Sequence, residues 1–218
     1  ARVEADEIDE IWHGLAMPYE TLFQWIDGRG PKPLSTRPAP FRPPMLAHPV
    51  EEDDFATLKP DEFVAEWKWD GIRGQLIVRN GAHFVWSRGE ELMTDRFPEF
   101  AHIADALPDG TVMDGELLVW QSAAESPDSF NALQQRIGRK TVPKKLLADA
   151  PVVMHAYDLL EWQGIDLRDR SFADRRSLLE KACAGLTRQT AVRLSPQLEF
   201  GTWEDLADLR ATARDQNA

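Results

Sequence analysis

Gly74-Gln75-Leu76-Ile77-Val78-Arg79-Asn80-Gly81-Ala82-His83-Phe84-Val85-Trp86-Ser87 sets two apolar runs on either side of an Asn-Gly pair. Both turn residues tolerate the positive φ that a type I′ turn needs, so the stretch predicts a hairpin with strands 74–79 and 82–87. Upstream, residues 63–70 alternate and predict a further strand, broken from the hairpin at Gly71. Downstream, 112–120 and 152–160 are apolar and β-branched-rich, each after an Asp- or Pro-containing turn, and predict two more strands. Between them 128–137 predicts a polar helix. Leu178, Leu179 and Ala182 give 172–184 helical spacing, and Thr202 with Asp205 three residues on marks the start of a last helix. Helices interleaved with tightly turned strands predict an α+β fold, with mixed or antiparallel sheets flanked by helices, rather than a doubly wound parallel one.

Ahead of this lies a different texture. Ile8, Ile11, Trp12 and Leu15, then Leu22, Trp25 and Ile26 after Pro18, predict two short helices within 5–29, and the proline-rich 31–49 reads as an extended linker. A boundary near residue 40 follows, with a helical tail and linker at 1–40 and the main domain at 41–218. A length of 218 residues with 43% apolar content supports one domain with a small appendage. The net charge of -12 opposes autonomous DNA binding unless basic groups are segregated. Cys183 has no partner for an internal disulfide, and no signal-like or membrane-length apolar run occurs, so a reducing, cytoplasmic setting without membrane contact is expected. Eight scattered tryptophans point to packing rather than to one binding stripe.

The chemistry concentrates in Glu66-Trp67-Lys68-Trp69-Asp70-Gly71-Ile72-Arg73. Strand alternation would put Glu66, Lys68 and Asp70 on one face and both tryptophans on the other. The bland reading is a surface lysine with cross-strand partners. Two tryptophans behind it and a glycine after it favour a cleft instead, because the strand is packed and Gly71 permits close approach. An amine attacks only when unprotonated, so a nucleophilic Lys68 needs desolvation or nearby cations. Asp70 works against that and is given a positioning or metal-related role, with a divalent metal as the natural activator. His102 and His155 are isolated and read as satisfied neutral side chains rather than metal ligands. Basic residues within 136–145 read either as a DNA-backbone contact or as a solvated run.

Lys68-Trp69-Asp70-Gly71-Ile72-Arg73 matches the K-x-D-G-x-R signature of the covalent nucleotidyltransferases, which comprise DNA ligases, RNA ligases and capping enzymes. Ser87-Arg88-Gly89, Asp114-Gly115-Glu116 and Tyr157-Asp158-Leu159-Leu160 resemble the family's next motifs in its order. Phe41-Arg42-Pro43-Pro44-Met45-Leu46-Ala47, the segment from Glu161 to Arg168 and Arg175-Arg176 are similar to ATP-dependent DNA ligases of the bacterial type. The resemblance implies an ATP-grasp-like nucleotidyltransferase domain, preceded by the end of a helical DNA-binding domain. It implies that Lys68 takes AMP from ATP as a lysyl-AMP, that Glu66 reads the adenine amino group and that Arg73 and Arg88 contact ribose or phosphates. It also implies that Glu116 serves the ribose or a Mg2+ ion, and that Tyr157 stacks on the base. Implied partners are nicked double-stranded DNA, in repair, replication or recombination, and an OB-fold domain; the implied protein is a monomer at the bacterial nucleoid.

The sequence departs from that family pattern after position 181. The glutamate-glycine-lysine motif, the paired-lysine motif and the OB-fold do not occur, and no lysine follows Lys181. A domain truncated at its C-terminus, slow or incompetent in adenylation by itself, is the resulting expectation. An RNA ligase or capping enzyme would share Lys68, Asp70 and Gly71, and a nucleotide-binding module without turnover would share the cleft.

Overall fold

The computed structural model describes residues 3–121, 124, 126–139 and 141–218. Two helices, α1 (Ala5–Trp12) and α2 (Glu20–Ile26), lead into an extended segment. There follow β1 (Ala65–Glu66), β2 (Ile72–Arg79), β3 (Ala82–Ser87), α3 (Ile103–Ala106) and β4 (Thr111–Val119). Next come α4 (Phe130–Ile137), α5 (Lys144–Asp149), β5 (Val152–Trp162), β6 (Ile165–Asp166) and α6 (Phe172–Ala184). Strands β7 (Val192–Leu194) and β8 (Gln197–Leu198) and helix α7 (Trp203–Ala211) complete the order. No helix among the described residues is long and apolar enough to cross a membrane.

The sheet runs β3-β2-β4-β5-β6 with antiparallel neighbours, and β7 joins β5 in parallel, so the expected mixed α+β architecture is present. Asn80 and Gly81 take φ of 54° and 70° at the β2–β3 turn, as the hairpin reading requires. Thr202 caps α7 through a reciprocal pair with Asp205, and α6 spans the predicted 172–184.

The strand expected over 63–70 is a correction. Only Ala65 and Glu66 pair, with Leu198 and Gln197, and residues 67–71 form an irregular loop. Alternation supplies the side-chain pattern of a strand, yet a strand needs a partner edge, and β8 offers two residues.

One face of the sheet buries Leu76, Met113, Leu117, Met154 and Leu159 under Phe97, Phe100, Ile103, Leu133 and Leu179, which forms the main core. Fully burying each such side chain stabilises by about 1.5–3 kcal/mol. The opposite face is divided into three. At one end Ile77, Trp86, Val112 and Leu160 pack beneath Ala39 and Phe41 of the linker. At the other, Leu118 and Val153 pack on Trp69. Between these apolar ends, alternation brings Arg73, Gln75, Asp114 and Glu116 to the same face, where the register sets Arg73 opposite Glu116 and Gln75 opposite Asp114.

The N-terminal helix meets this domain through charge. Arg168 donates to Glu10 at 2.7 and 2.8 Å, and Arg42 lies 3.5 Å from the same carboxylate. Arg42 and Arg79 share Glu161 at 3.0 and 2.7 Å, which ties the linker to the far end of β5.

Candidate active site

A cavity of about 790 Å³ opens over the polar middle of the sheet. Glu66, Lys68, Asp70, Arg73, Arg88, Glu116 and Tyr157 all line it, so every site residue expected from sequence is brought to one place. Met45, Leu46, Ala47, Trp67 and Trp69 complete the wall. Trp67 therefore shares the cavity with Glu66 and Lys68, and the expected separation of tryptophans from carboxylates onto two faces does not hold, because the segment is not a strand.

Three strands supply the floor, and their register explains which side chains arrive. On β4 and β5, Asp114 faces Asp158 but Gly115 faces Ala156, so Tyr157 is the extra residue of a β-bulge. A bulge re-aims a side chain, and here it delivers Tyr157 to the cavity instead of to the core that its apolar neighbours enter. Burial, with the Asp114 charge next, raises the phenol far above its ordinary range and keeps it neutral.

The floor's cations are already engaged. Arg73 Nε lies 3.2 Å from both Asp114 carboxylate oxygens, while its Nη2 donates to Asp114 Oδ2 at 2.6 Å and to the Met45 carbonyl at 2.7 Å. Its guanidinium carbon sits 5.8 Å from the Tyr157 ring centre. Beneath, Arg175 donates to Asp158 through Nε at 2.8 Å and Nη2 at 3.2 Å, and to the Arg170 carbonyl at 2.5 Å. Glu66 Oε1 accepts from Arg176 Nη1 at 2.6 Å, and Arg176 also donates to the Ser195 carbonyl at 2.8 Å and to Glu180 at 3.0 Å. These partners were not identified as such from sequence. The residues themselves lie in the motifs quoted above, but a pairing across 41 or 110 positions has no local signature.

Glu116 is the most perturbed carboxylate in the cavity. Burial first, then the Asp114 charge, raises it to about 7, against the pull of Arg73 and Lys68. The influence of Lys68 places the amine within electrostatic reach of Glu116. Lys68 itself is exposed, as are Asp70 and Arg88. Of the two routes to a free amine, desolvation or a nearby cation, the exposure of Lys68 leaves the cation, which is the expected divalent metal.

The lysine's position is set by its neighbours. Trp69 is 7% exposed and packs on Leu118 and Val153, with Trp120 edge-on at 5.6 Å and His155 at 5.7 Å. Gly71 is required on steric grounds, since a Cβ there would lie 2.5 Å from the Leu117 carbonyl oxygen. The close approach predicted for this glycine is made by the backbone of β4.

Two other expectations change. His155 is buried and neutral, pushed down to about 4 by burial and by the Arg193 charge, but neither ring nitrogen has a hydrogen-bond partner among the described residues. It is stacked on Trp120 rather than satisfied. His102 is exposed beside Asp105. Within 136–145, where Lys140 lies outside the described residues, Arg136 is fully buried against Glu99 and donates to the Ala150 carbonyl at 2.6 Å. It is a core ion pair and unavailable to a DNA backbone.

Comparison with known proteins places this geometry. DNA ligase C of Mycobacterium tuberculosis is 38% identical over 145 residues, which cover 65% of this chain and 38% of that protein. A probable DNA ligase of Koribacter versatilis is 32% identical over 150 residues, 69% of this chain and 25% of that one. Among solved structures, the ligase domain of LigD from M. tuberculosis superposes with a TM-score of 0.55 at 28% identity, covering 72% of this chain and 48% of that one. A mycobacterial DNA ligase D complexed with ATP and MES gives 0.52 at 28% identity, covering 68% and 44%. The matches thus span between a quarter and about half of these relatives' lengths. The profile of the ATP dependent DNA ligase domain matches residues 44–218, the whole cavity included, and the chain belongs to that family.

Proposed function

We propose that this chain is the adenylating core of an ATP-dependent DNA ligase in which Lys68 is the nucleophile. The observation that carries the reading is the convergence of Glu66, Lys68, Arg73, Arg88, Glu116 and Tyr157 on one nucleotide-sized cavity. Lys68 Nζ, having shed a proton to solvent, attacks the α-phosphorus of ATP. A P–N bond forms, the bond to the bridging oxygen breaks, and pyrophosphate leaves with the electron pair. A 5′-phosphate oxygen of nicked DNA then attacks the same phosphorus and returns the amine. The adjacent 3′-hydroxyl displaces AMP from the activated 5′-phosphate and closes the backbone.

The chain's residues divide that work. Glu66, oriented by Arg176, accepts from the adenine amino group and so favours ATP over GTP. Tyr157, backed by Arg73, offers a ring to the base. Arg88, exposed and without a carboxylate within 4.0 Å among the described residues, is free for phosphate oxygens. Arg73 is held by Asp114, and its fork is only partly available to ribose or phosphate. Among the described residues no three His, Cys, Asp or Glu side chains are grouped to hold a metal. The residues fit a magnesium ion carried in on the triphosphate and met by Glu116, which suits an ion that keeps most of its waters. When bound, such an ion neutralises charge on the phosphate oxygens. Residues 1–40 are proposed to belong to a helical DNA-binding unit ahead of the core.

The test is intact-mass measurement after prolonged incubation with ATP and magnesium. A slowly accumulating adenylate adduct, reversed by pyrophosphate and lost in Lys68→Ala, is expected. Nucleotide binding with no adduct, equal in the Lys68→Ala variant, would establish a binding module and sink the proposal. A preference for GTP would instead favour a capping-type enzyme.

A further inference from the structure

Arg193 stands apart from the other arginines of this chain. Among the described residues, it is the one arginine that is not exposed and has no carboxylate within 4.0 Å. Arg42, Arg73 and Arg79 of the cavity side, and Arg136, Arg175 and Arg176 of the interior, are each paired. Acidic residues outnumber basic ones 37 to 25 in the chain, so an arginine without a carboxylate partner among the described residues stands out. A second cation, Arg188, shares with it a concavity of about 370 Å³ closed by Leu186, Thr187, Ala191 and Val192. Burial, and then the Arg188 charge, both push the Arg193 guanidinium downward. Two like charges beside each other in a partly buried hollow oppose folding unless something anionic joins them.

The fold places this hollow with respect to Lys68. On β7, parallel to β5, Arg193 stands in register with His155, and its guanidinium lies 5.4 Å over the Trp120 ring. Trp120 stacks on His155 at 4.7 Å and meets Trp69 edge-on at 5.6 Å, and Trp69 adjoins Lys68 in sequence. The hollow therefore lies on the far side of an aromatic wall from the nucleophile loop. A guanidinium carries five N–H donors in a fixed fork, and two of them match two oxygens of one phosphate.

We infer that Arg188 and Arg193 form an anion site, separate from the nucleotide cavity, that holds a backbone phosphodiester of the DNA strand being sealed. The inference rests on the ligase reading above. A net charge of -12 opposes DNA binding unless attraction is focal, and this hollow is a focus of positive charge behind the aromatic side chains that back the Lys68 loop. The alternative source of phosphate, the nucleotide, is separated by the experiment.

The test is fluorescence anisotropy with a nicked duplex, followed across about 50 to 200 mM salt, beside the adenylation assay. In Arg188→Ala/Arg193→Ala the affinity at the low end is expected to fall at least about tenfold and the log–log salt slope to become shallower by about two, one for each lost contact. Arg188→Ala alone, at an exposed position, should remove about half the slope change without risk to the fold. Arg193→Lys should keep the slope, because charge is retained, and lose part of the affinity. Lys68 adenylation and ATP affinity are expected to be unchanged in all three. Weakened ATP binding would reassign the hollow to the nucleotide and overturn the inference. So would duplex binding with unaltered affinity and slope, or no duplex binding by the unsubstituted chain at low salt. An intact Lys68 adduct beside unaltered duplex binding overturns this site alone, whereas the absence of any adduct in the unsubstituted chain overturns the reading beneath it.

Discussion

Across the floor of the cleft Arg73, Asp114, Glu116 and Tyr157 sit on three hydrogen-bonded strands, with Arg73 and Asp114 paired to each other, whereas in residues 67–71 Lys68 and Asp70 are exposed on an irregular loop. The floor carries its ion pairs before any nucleotide arrives. The loop holds Lys68, the proposed nucleophile, through one buried indole and one glycine. This division has a physical reason. Charges that stabilise a substrate gain from being fixed beforehand, because no reorganisation then accompanies the reaction. A nucleophile that must pass through a protonated, a covalent and a free state gains from having no permanent partner.

The sharpest way to break that contrast is to compare stability losses. Asp158→Ala would leave Arg175 buried without its carboxylate, and a loss of about 3–5 kcal/mol in urea unfolding is expected. Lys68→Ala, at an exposed position, should cost less than about 0.5 kcal/mol while abolishing the adduct. Comparable losses at the two positions would mean that the loop is as integral to the structure as the floor.

Next in size is Gly71→Ala. Its Cβ would lie 2.5 Å from the Leu117 carbonyl oxygen and 2.7 Å from Leu118 Cδ2. Backbone cannot yield as a flexible side chain would, so the loop must move off the sheet. A loss of about 1–3 kcal/mol is expected, with adenylation slowed by about 10²-fold because the amine is displaced. Unchanged adenylation in a destabilised variant would show that the glycine serves packing alone and that Lys68 is placed by other means.

Glu116 sharpens the comparison through pH. Its carboxyl is raised from the ordinary 4.5 to about 7 by burial and by Asp114. Between those values the folded chain holds a proton that the unfolded chain has released, so the group's destabilising effect is absent at low pH and grows as pH rises through that window. Glu116→Gln should therefore match the parent near pH 5 and exceed it in stability above pH 8, by on the order of 1–3 kcal/mol. Adenylation in the parent should increase over the same window, as the carboxylate proposed to serve ribose and magnesium ionises. Urea midpoints and initial adduct rates at several pH values test both halves, and parallel rather than opposite trends would remove Glu116 from the proposed role.

The same division explains what could be seen in the sequence. Strands β2 to β5, the Asn80-Gly81 turn and the Thr202 cap are written in local periodicity and turn chemistry, and they appear where expected. The cluster of site residues was legible through the motifs that carry the family resemblance, in their order along the chain, and not through periodicity, since Glu116 and Tyr157 lie inside predicted strands. Residues 63–70 misled because Trp67 and Trp69 mimic strand alternation, although Trp69 is drawn to Leu118 and Val153 rather than to a strand partner. The bulge that re-aims Tyr157 was not legible, since it arises from a register mismatch between two strands. Burial of Arg136 and the engagement of Arg73 by Asp114 depend on tertiary neighbours, which no window of sequence contains.

The smallest expected effect is the most discriminating control on the floor. Gly81, at the remote end of the β2–β3 hairpin, has φ of 70° and nothing within 4 Å of where a Cβ would stand. Gly81→Ala therefore meets no clash and incurs only the left-handed backbone cost, about 1 kcal/mol. Because Arg73 and Gly74 stay paired with Glu116 and Gly115 six positions or more away, the cavity should keep its shape. Adenylation by the folded chain is then expected to equal the parent's while the urea midpoint falls. If the adduct rate drops along with stability, the floor transmits strain along β2 into the cavity. In that case the separation between a fixed floor and a free loop would have to give way to one continuous, deformable site.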